Sequence, residues 1–263
     1  MTFRLPFGFG VGVARALAVA ALVVGSWPPV AVVRPAAAET AAPAAADRCA
    51  APTELVGDEA GFPDLADRLR LGQPVVIVAI GGASTRGACP LEQSYPARLQ
   101  AELSGRYPGS PIKVFNLGVA RETAVEMLRR LPVEVLPLKP QLVIWETGTN
   151  DAVSGVILDD FAQALKEGLA LLKGAGVDVL MMDMQYSRES VEVINFERYQ
   201  KTMQGIAAVG DARMFGRYAI MKYWSESGAF EFDGPKAERR ELAVQVYECL
   251  ARRLADTIVA PRP

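Results

Sequence analysis

Apolar and polar positions fall into alternating short runs with two different periods. Residues 74–80 (PVVIVAI) form an unbroken, β-branched apolar run, the pattern of a strand buried on both faces. Residues 95–107 then carry Leu99 and Leu103 at helical spacing and stop at Pro108. Further strands are predicted over 112–115, 141–145, 177–182 and 213–215. Further helices are predicted over 123–131 (Val125, Leu128, Leu131), 160–174 (Phe161, Leu165, Leu169, Leu172), 196–209 and 238–259. The last of these places Leu242, Val246, Cys249, Leu250 and Leu254 on one stripe, as an amphipathic helix requires. Strand–helix alternation of this kind implies a parallel sheet covered on both faces. The expected fold is a three-layer α/β/α sandwich with about five parallel strands, flavodoxin-like. Ligands of such sheets bind beyond the carboxyl ends of the strands. Residues 81–87, 116–121 and 147–151 all fall there.

The N-terminal segment follows a different pattern. Arg4 and Arg15 precede the apolar stretch 16–25, and Ala36, Ala37 and Ala38 supply a small-residue cleavage site. That is the order of a secretory signal peptide over 1–38; the alternative is an N-terminal anchor. Residues 39–52, rich in Ala and Pro, read as a linker, leaving 53–263 as a single domain. Export would make the protein periplasmic or secreted, with no stable membrane span after cleavage.

Charge adds little. The chain has 28 basic and 30 acidic residues. Loss of Arg4, Arg15 and Arg34 with the signal would leave 25 against 30, a net charge of −5. This gives no support for nucleic acid as a partner. The cysteines are Cys49, Cys89 and Cys249. In an oxidising compartment Cys49–Cys249 is the favoured pair, with Cys89 free. Three buried thiols are the alternative, because connectivity is not readable from sequence. No histidine is present, and no metal site or cofactor is expected.

The strand-end segments carry the chemistry. The intact Gly148-Thr149-Asn150-Asp151 follows a buried strand. Together with three other blocks it resembles the SGNH (GDSL-type) hydrolase superfamily of esterases and lipases, over about 74–259. In that family the first block, G-D-S, supplies the nucleophile. A glycine of the second and the asparagine of G-x-N-D donate to an oxyanion hole, and D-x-x-H supplies acid and base. Here Gly82 and Ala83 stand at the Asp and Ser of the first block, with Ser84 one residue late. The second block runs from Asn116 through Gly118 to Thr123, with Arg121 at the oxyanion glycine. Asp233 keeps its place in the last block, where Lys236 replaces the histidine.

A serine hydroxyl needs a base within hydrogen-bond reach, and imidazole is missing. The resemblance therefore implies a degenerate site, a pseudoenzyme in which Ser84, Asn150, Asp233 and Lys236 hold catalytic or vestigial positions. Gly82, Arg86, Gly118, Arg121 and Asp151 are the candidate ligand-binding residues. Arg86, Arg121 and Lys236 would bring cations to the cleft, or be neutralised by Glu122, Asp151 and Asp233. Glu146 reads as a rim carboxylate, with a misplaced base as the alternative, and Asp183, Gln185 and Tyr186 as residues of the mouth. The implied role is a cell-envelope accessory protein, a monomer binding a small-molecule, glycan or acyl ligand. The alternative is an active ester hydrolase using Ser84 with Lys236 as base, since Ser–Lys variants of the triad exist. A purely structural protein with its cleft filled by Arg121 is a third reading.

Overall fold

A computed structural model describes residues 47–56, 61–87, 90–188, 194–235 and 237–260. The signal-like segment, Cys89 and Lys236 lie outside the described residues. Five parallel strands form one sheet in the order β2-β1-β3-β4-β5. They are β1 (Val75–Gly81), β2 (Ile112–Gly118), β3 (Leu142–Glu146), β4 (Asp178–Met182) and β5 (Arg213–Phe215). Their apolar, β-branched composition suits a sheet buried on both faces, and β3 is buried at every position. The chain order reverses at β1, which pairs with β2 on one side and β3 on the other. A crevice therefore opens beyond the carboxyl ends of β1 and β3.

Helices cover both faces, as the alternation predicts. One layer contains α4 (Tyr95–Arg106) and α10 (Arg239–Val259), packed on Ile77, Ala79, Leu142 and Ile144. The other contains α5 (Ala124–Arg130), α7 (Leu158–Gly174) and α8 (Phe196–Val209), packed on Val78, Ile80, Val143 and Trp145. Successive strand residues thus serve opposite cores, the period-two consequence of the pleat. Helix α5 begins where Glu126 accepts from both the N–H and the hydroxyl of Thr123 (2.8 Å each), satisfying donors at the helix start.

The remaining helices are α1 (Thr53–Val56), α2 (Pro63–Arg70), α3 (Ala83–Arg86), α6 (Thr149–Ser154) and α9 (Arg217–Glu226). None of these is marked by the apolar periodicity. Helices α3 and α6 lie on segments that read as loops in the sequence, and α2 and α9 on stretches without a strong stripe.

Residues 47–52, compositionally a linker, are attached to the fold. Cys49 is bonded to Cys249 on α10. Arg48 donates to the Ala229 carbonyl (2.9 Å) and to Gln245 (2.8 Å), and Trp224 donates to the Ala50 carbonyl (2.9 Å). No helix among the described residues is long and apolar enough to cross a membrane.

Candidate functional site

The strand-end chemistry centres on Glu146. Alternation along β3 puts it on the face of Leu142 and Ile144, and it is 3% exposed. It is a buried carboxylate rather than a rim residue. Its Oε2 accepts from the Gly82 N–H and the Thr85 hydroxyl, each at 2.9 Å. Its Oε1 accepts from Arg217 Nη2 at 3.1 Å. Thr85, having donated to Glu146, accepts from the Tyr95 hydroxyl at 3.0 Å. Burial alone would raise the Glu146 carboxyl, but Arg217, Thr85, Gly82 and Ser84 more than offset it and hold it below its ordinary range.

Arg217 is the partner that the motif comparison does not mark. It opens α9, two residues beyond β5, and is 1% exposed. The available signal is positional: a cation just past the carboxyl end of a strand, where the other site loops also lie. Its Nη1 donates to Ser84 Oγ at 2.8 Å, and Ser84 helps to lower the Glu146 carboxyl. Ser84 is therefore held by a guanidinium whose other nitrogen is paired with Glu146. Glu146 is a weak base there, since proton transfer would leave Arg217 buried without a counter-ion. The same carboxylate cancels the help that Arg217 would give to a serine alkoxide.

The other predicted residues take separate positions. Gly148 adopts φ 93°, the left-handed region that favours glycine, and starts α6. Asp151 is fully buried, accepting from the Ala124 N–H (2.9 Å), the Gly148 N–H (3.2 Å) and the Thr147 hydroxyl (3.3 Å). It thereby braces α6 against α5. Asn150 donates its amide to the Glu122 carbonyl at 2.9 Å. A Cβ on Gly82 would stand 2.8 Å from Asn150 Nδ2, so the first and third blocks touch only because residue 82 is glycine. The Gly118 N–H donates to Asn116 Oδ1 (3.0 Å), and Asn116 Nδ2 donates to the Thr85 carbonyl (2.8 Å). The second block thus ties β2 to α3. Arg121 has φ 68°, in the left-handed region that favours glycine. Its side chain and that of Arg86 are exposed. Arg121 therefore fills no buried cleft.

Ser84 and Asp233 come together on one cavity of about 260 Å³ between α9, α10 and the segment after β4. Arg217, Arg239, Gln185 and Ser187 line the same cavity. The cations of this cavity are thus Arg217 and Arg239, not Arg86 and Arg121. The carboxylates expected to neutralise the motif cations have other partners. Glu122 pairs with Arg130 (2.6 Å), and Asp233 with Arg188 (3.3 Å). Of the mouth residues, Gln185 and Tyr186 line the cavity. Asp183 is buried behind them and accepts from the Tyr218 N–H at 2.8 Å. Burial raises its carboxyl to about 6, with partial relief from that N–H. No cluster of metal-ligating side chains occurs among the described residues.

Comparison with known proteins agrees with this architecture. A curated arylesterase of Vibrio mimicus is 28% identical over 110 residues, a match covering 41% of this chain and 54% of that protein. The chain thus spans about half the length of that relative. Among solved structures, a two-domain esterase active on acetylated mannans has a TM-score of 0.62 at 15% identity, covering 80% of this chain and 58% of that one. An acetylxylan esterase from Geobacillus stearothermophilus has a TM-score of 0.59 at 21% identity, covering 70% and 94%. At these identities the likeness is one of fold. The model of the non-GDSL lipase-like family matches residues 48–261. With that match and its five-stranded parallel sheet, the chain belongs to the non-GDSL lipase-like family.

Proposed function

We propose that this protein is an exported, catalytically silent member of its family that binds an acyl or acylated-glycan ligand at the cell envelope. The observation carrying this reading is the state of Ser84. Its hydroxyl accepts from Arg217 (2.8 Å), and Arg217 is paired with Glu146 (3.1 Å), a carboxylate held below its ordinary range. General-base catalysis works best with a group whose pKa lies near the operating pH, and Glu146 is displaced away from that value. Asn150, the amide of the oxyanion block, donates to the Glu122 carbonyl, and the Gly82 N–H of the first block donates to Glu146. Export is supported by the signal pattern over 1–38 and by the Cys49–Cys249 bond, since structural disulfides belong to oxidising compartments.

The test is ester turnover by the purified protein on short-chain p-nitrophenyl esters. Hydrolysis is expected to match that of buffer, and a fluorophosphonate probe is expected to leave Ser84 unlabelled. Turnover well above buffer that disappears in Ser84→Ala would overturn the proposal. If Lys236→Ala also suppressed probe labelling at Ser84, the Ser84–Lys236 hydrolase would replace it.

A further inference from the structure

Glu146, Asp183 and Arg217 are all buried just beyond the carboxyl ends of β3, β4 and β5. Two are acids and one is a base. Arg217 gives Nη2 to Glu146 and Nη1 to Ser84. Asp183 is held by neutral donors: the Tyr218 N–H at 2.8 Å, the Gln200 amide at 3.4 Å and the Arg217 N–H. Arg217 and Tyr218 are the first residues of α9, so Asp183 satisfies donors at that helix start. Gly216, at the cap position, has no side chain to do so.

The surroundings leave the odd charge in place. Helix α9 presents the Arg217 guanidinium and the Tyr218 phenol, while its Lys222 and Glu226 are exposed. Helix α8 presents the Gln200 amide, while its Glu197, Arg198 and Lys201 are exposed. Strand β3 ends on Glu146, in register with Met182, and β5 carries Arg213 at its opposite end. Asp151 of α6 is turned to the Ala124 N–H. Tyr186, in the segment after β4, stands edge-on to Tyr218. A buried carboxylate without a counter-ion of its own lowers its cost by taking a proton.

We propose that Asp183 is a proton-operated latch on α9: protonated, it keeps the start of α9 docked and Arg217 on Ser84 and Glu146; ionised, it favours release of that helix start and withdrawal of Arg217 from Ser84. The latch operates whether or not Ser84 is catalytically silent. Its sign follows from burial, which raises the docked carboxyl to about 6, the helix-start N–H groups offsetting this only in part. In the released form water restores the ordinary value of 3.8. Docking is therefore strongest below that ordinary value and weakens as pH rises through about 6. Between about pH 5 and about pH 7.5 the released population is expected to rise about tenfold. Glu146, held below its ordinary range, stays ionised throughout that window.

The experiment is hydrogen exchange read by NMR on the purified protein at those two pH values, corrected for intrinsic exchange. Protection of the Tyr218 amide and of the buried Arg217 Nε–H is expected to fall about tenfold at the higher pH. Tyr218 is expected to be less protected than Leu169 in α7 at both pH values, since only the start of α9 opens. In Asp183→Asn the fall at Tyr218 is expected to vanish. Tyr218 protection that does not change with pH, or that equals that of Leu169, overturns the latch. So does the same fall in a folded Asp183→Asn protein, or an Arg217 Nε–H that does not follow Tyr218. NMR titration of the Asp183 carboxyl needs no variant. A midpoint near 6 supports the latch, and one at or below 3.8 overturns it even if Asp183→Asn does not fold.

Discussion

Replacing Glu146 by Gln would remove the carboxylate paired with a guanidinium 1% exposed, while keeping the side-chain shape. The Gly82 and Thr85 donors at 2.9 Å would lose a charged acceptor, and Arg217 its partner at 3.1 Å. Breaking a buried ion pair from one side costs about 3–5 kcal/mol, because the remaining charge stays buried and uncompensated. For a domain of this size each kcal/mol lowers Tm by about 2–4 °C, so the expected drop is about 6–20 °C. Urea unfolding of wild type, Glu146→Gln, Arg217→Met and the double variant measures it. The double variant is expected to lose less than the two single losses added together, since removing both charges removes the uncompensated one. The Glu146→Gln deficit is also expected to shrink in acid. The folded-state pKa of Glu146 is lowered, so its contribution is present above the ordinary carboxylate range and is lost as pH falls through the folded value. A Glu146→Gln protein within about 1 kcal/mol of wild type at neutral pH would refute the assignment of Glu146 and Arg217 as a mutually dependent pair.

Two further outcomes follow from the same physics. Asp183 has the opposite sign: its carboxyl is raised from 3.8 to about 6. The folded state therefore holds the extra proton, and stability falls as pH rises between those values, by about 2–3 kcal/mol. Asp183→Asn is expected to gain on wild type by that amount between acid and neutral pH in urea titrations; a pH-independent difference would contradict it. The Cys49–Cys249 bond closes a separation of 200 residues, where chain-entropy arguments give up to about 5 kcal/mol. Cys49→Ser/Cys249→Ser is expected to lose about 2–5 kcal/mol in urea unfolding, and a loss below about 1 kcal/mol would count against the bond as a stabilising staple.

The sheet was legible because its strands are buried on both faces. Runs such as 74–80 and 141–145 have to be apolar throughout, and that requirement is local. Helices with a strong stripe, such as Leu158–Gly174 and Phe196–Val209, were legible for the same reason. Helix α9 was not, because its burial comes from both cores. Trp224 packs in one and Tyr218 against both, which blurs the 3.6-residue period.

The site divides along the same line. The sequence by itself determined the fold class, the placing of polar segments beyond the strand ends and the absence of histidine. These depend on residue identity and spacing along the chain. Only the tertiary structure decided that Glu146 is buried rather than on the rim and that Arg217, 71 positions away, neutralises it. It also decided that Ser84 opens onto a cavity walled by the C-terminal helix. The physical reason is that charge pairing and cavity shape depend on distances in space. Parallel strands set side by side bring β1, β3 and the start of α9 together, although no local period records that they meet.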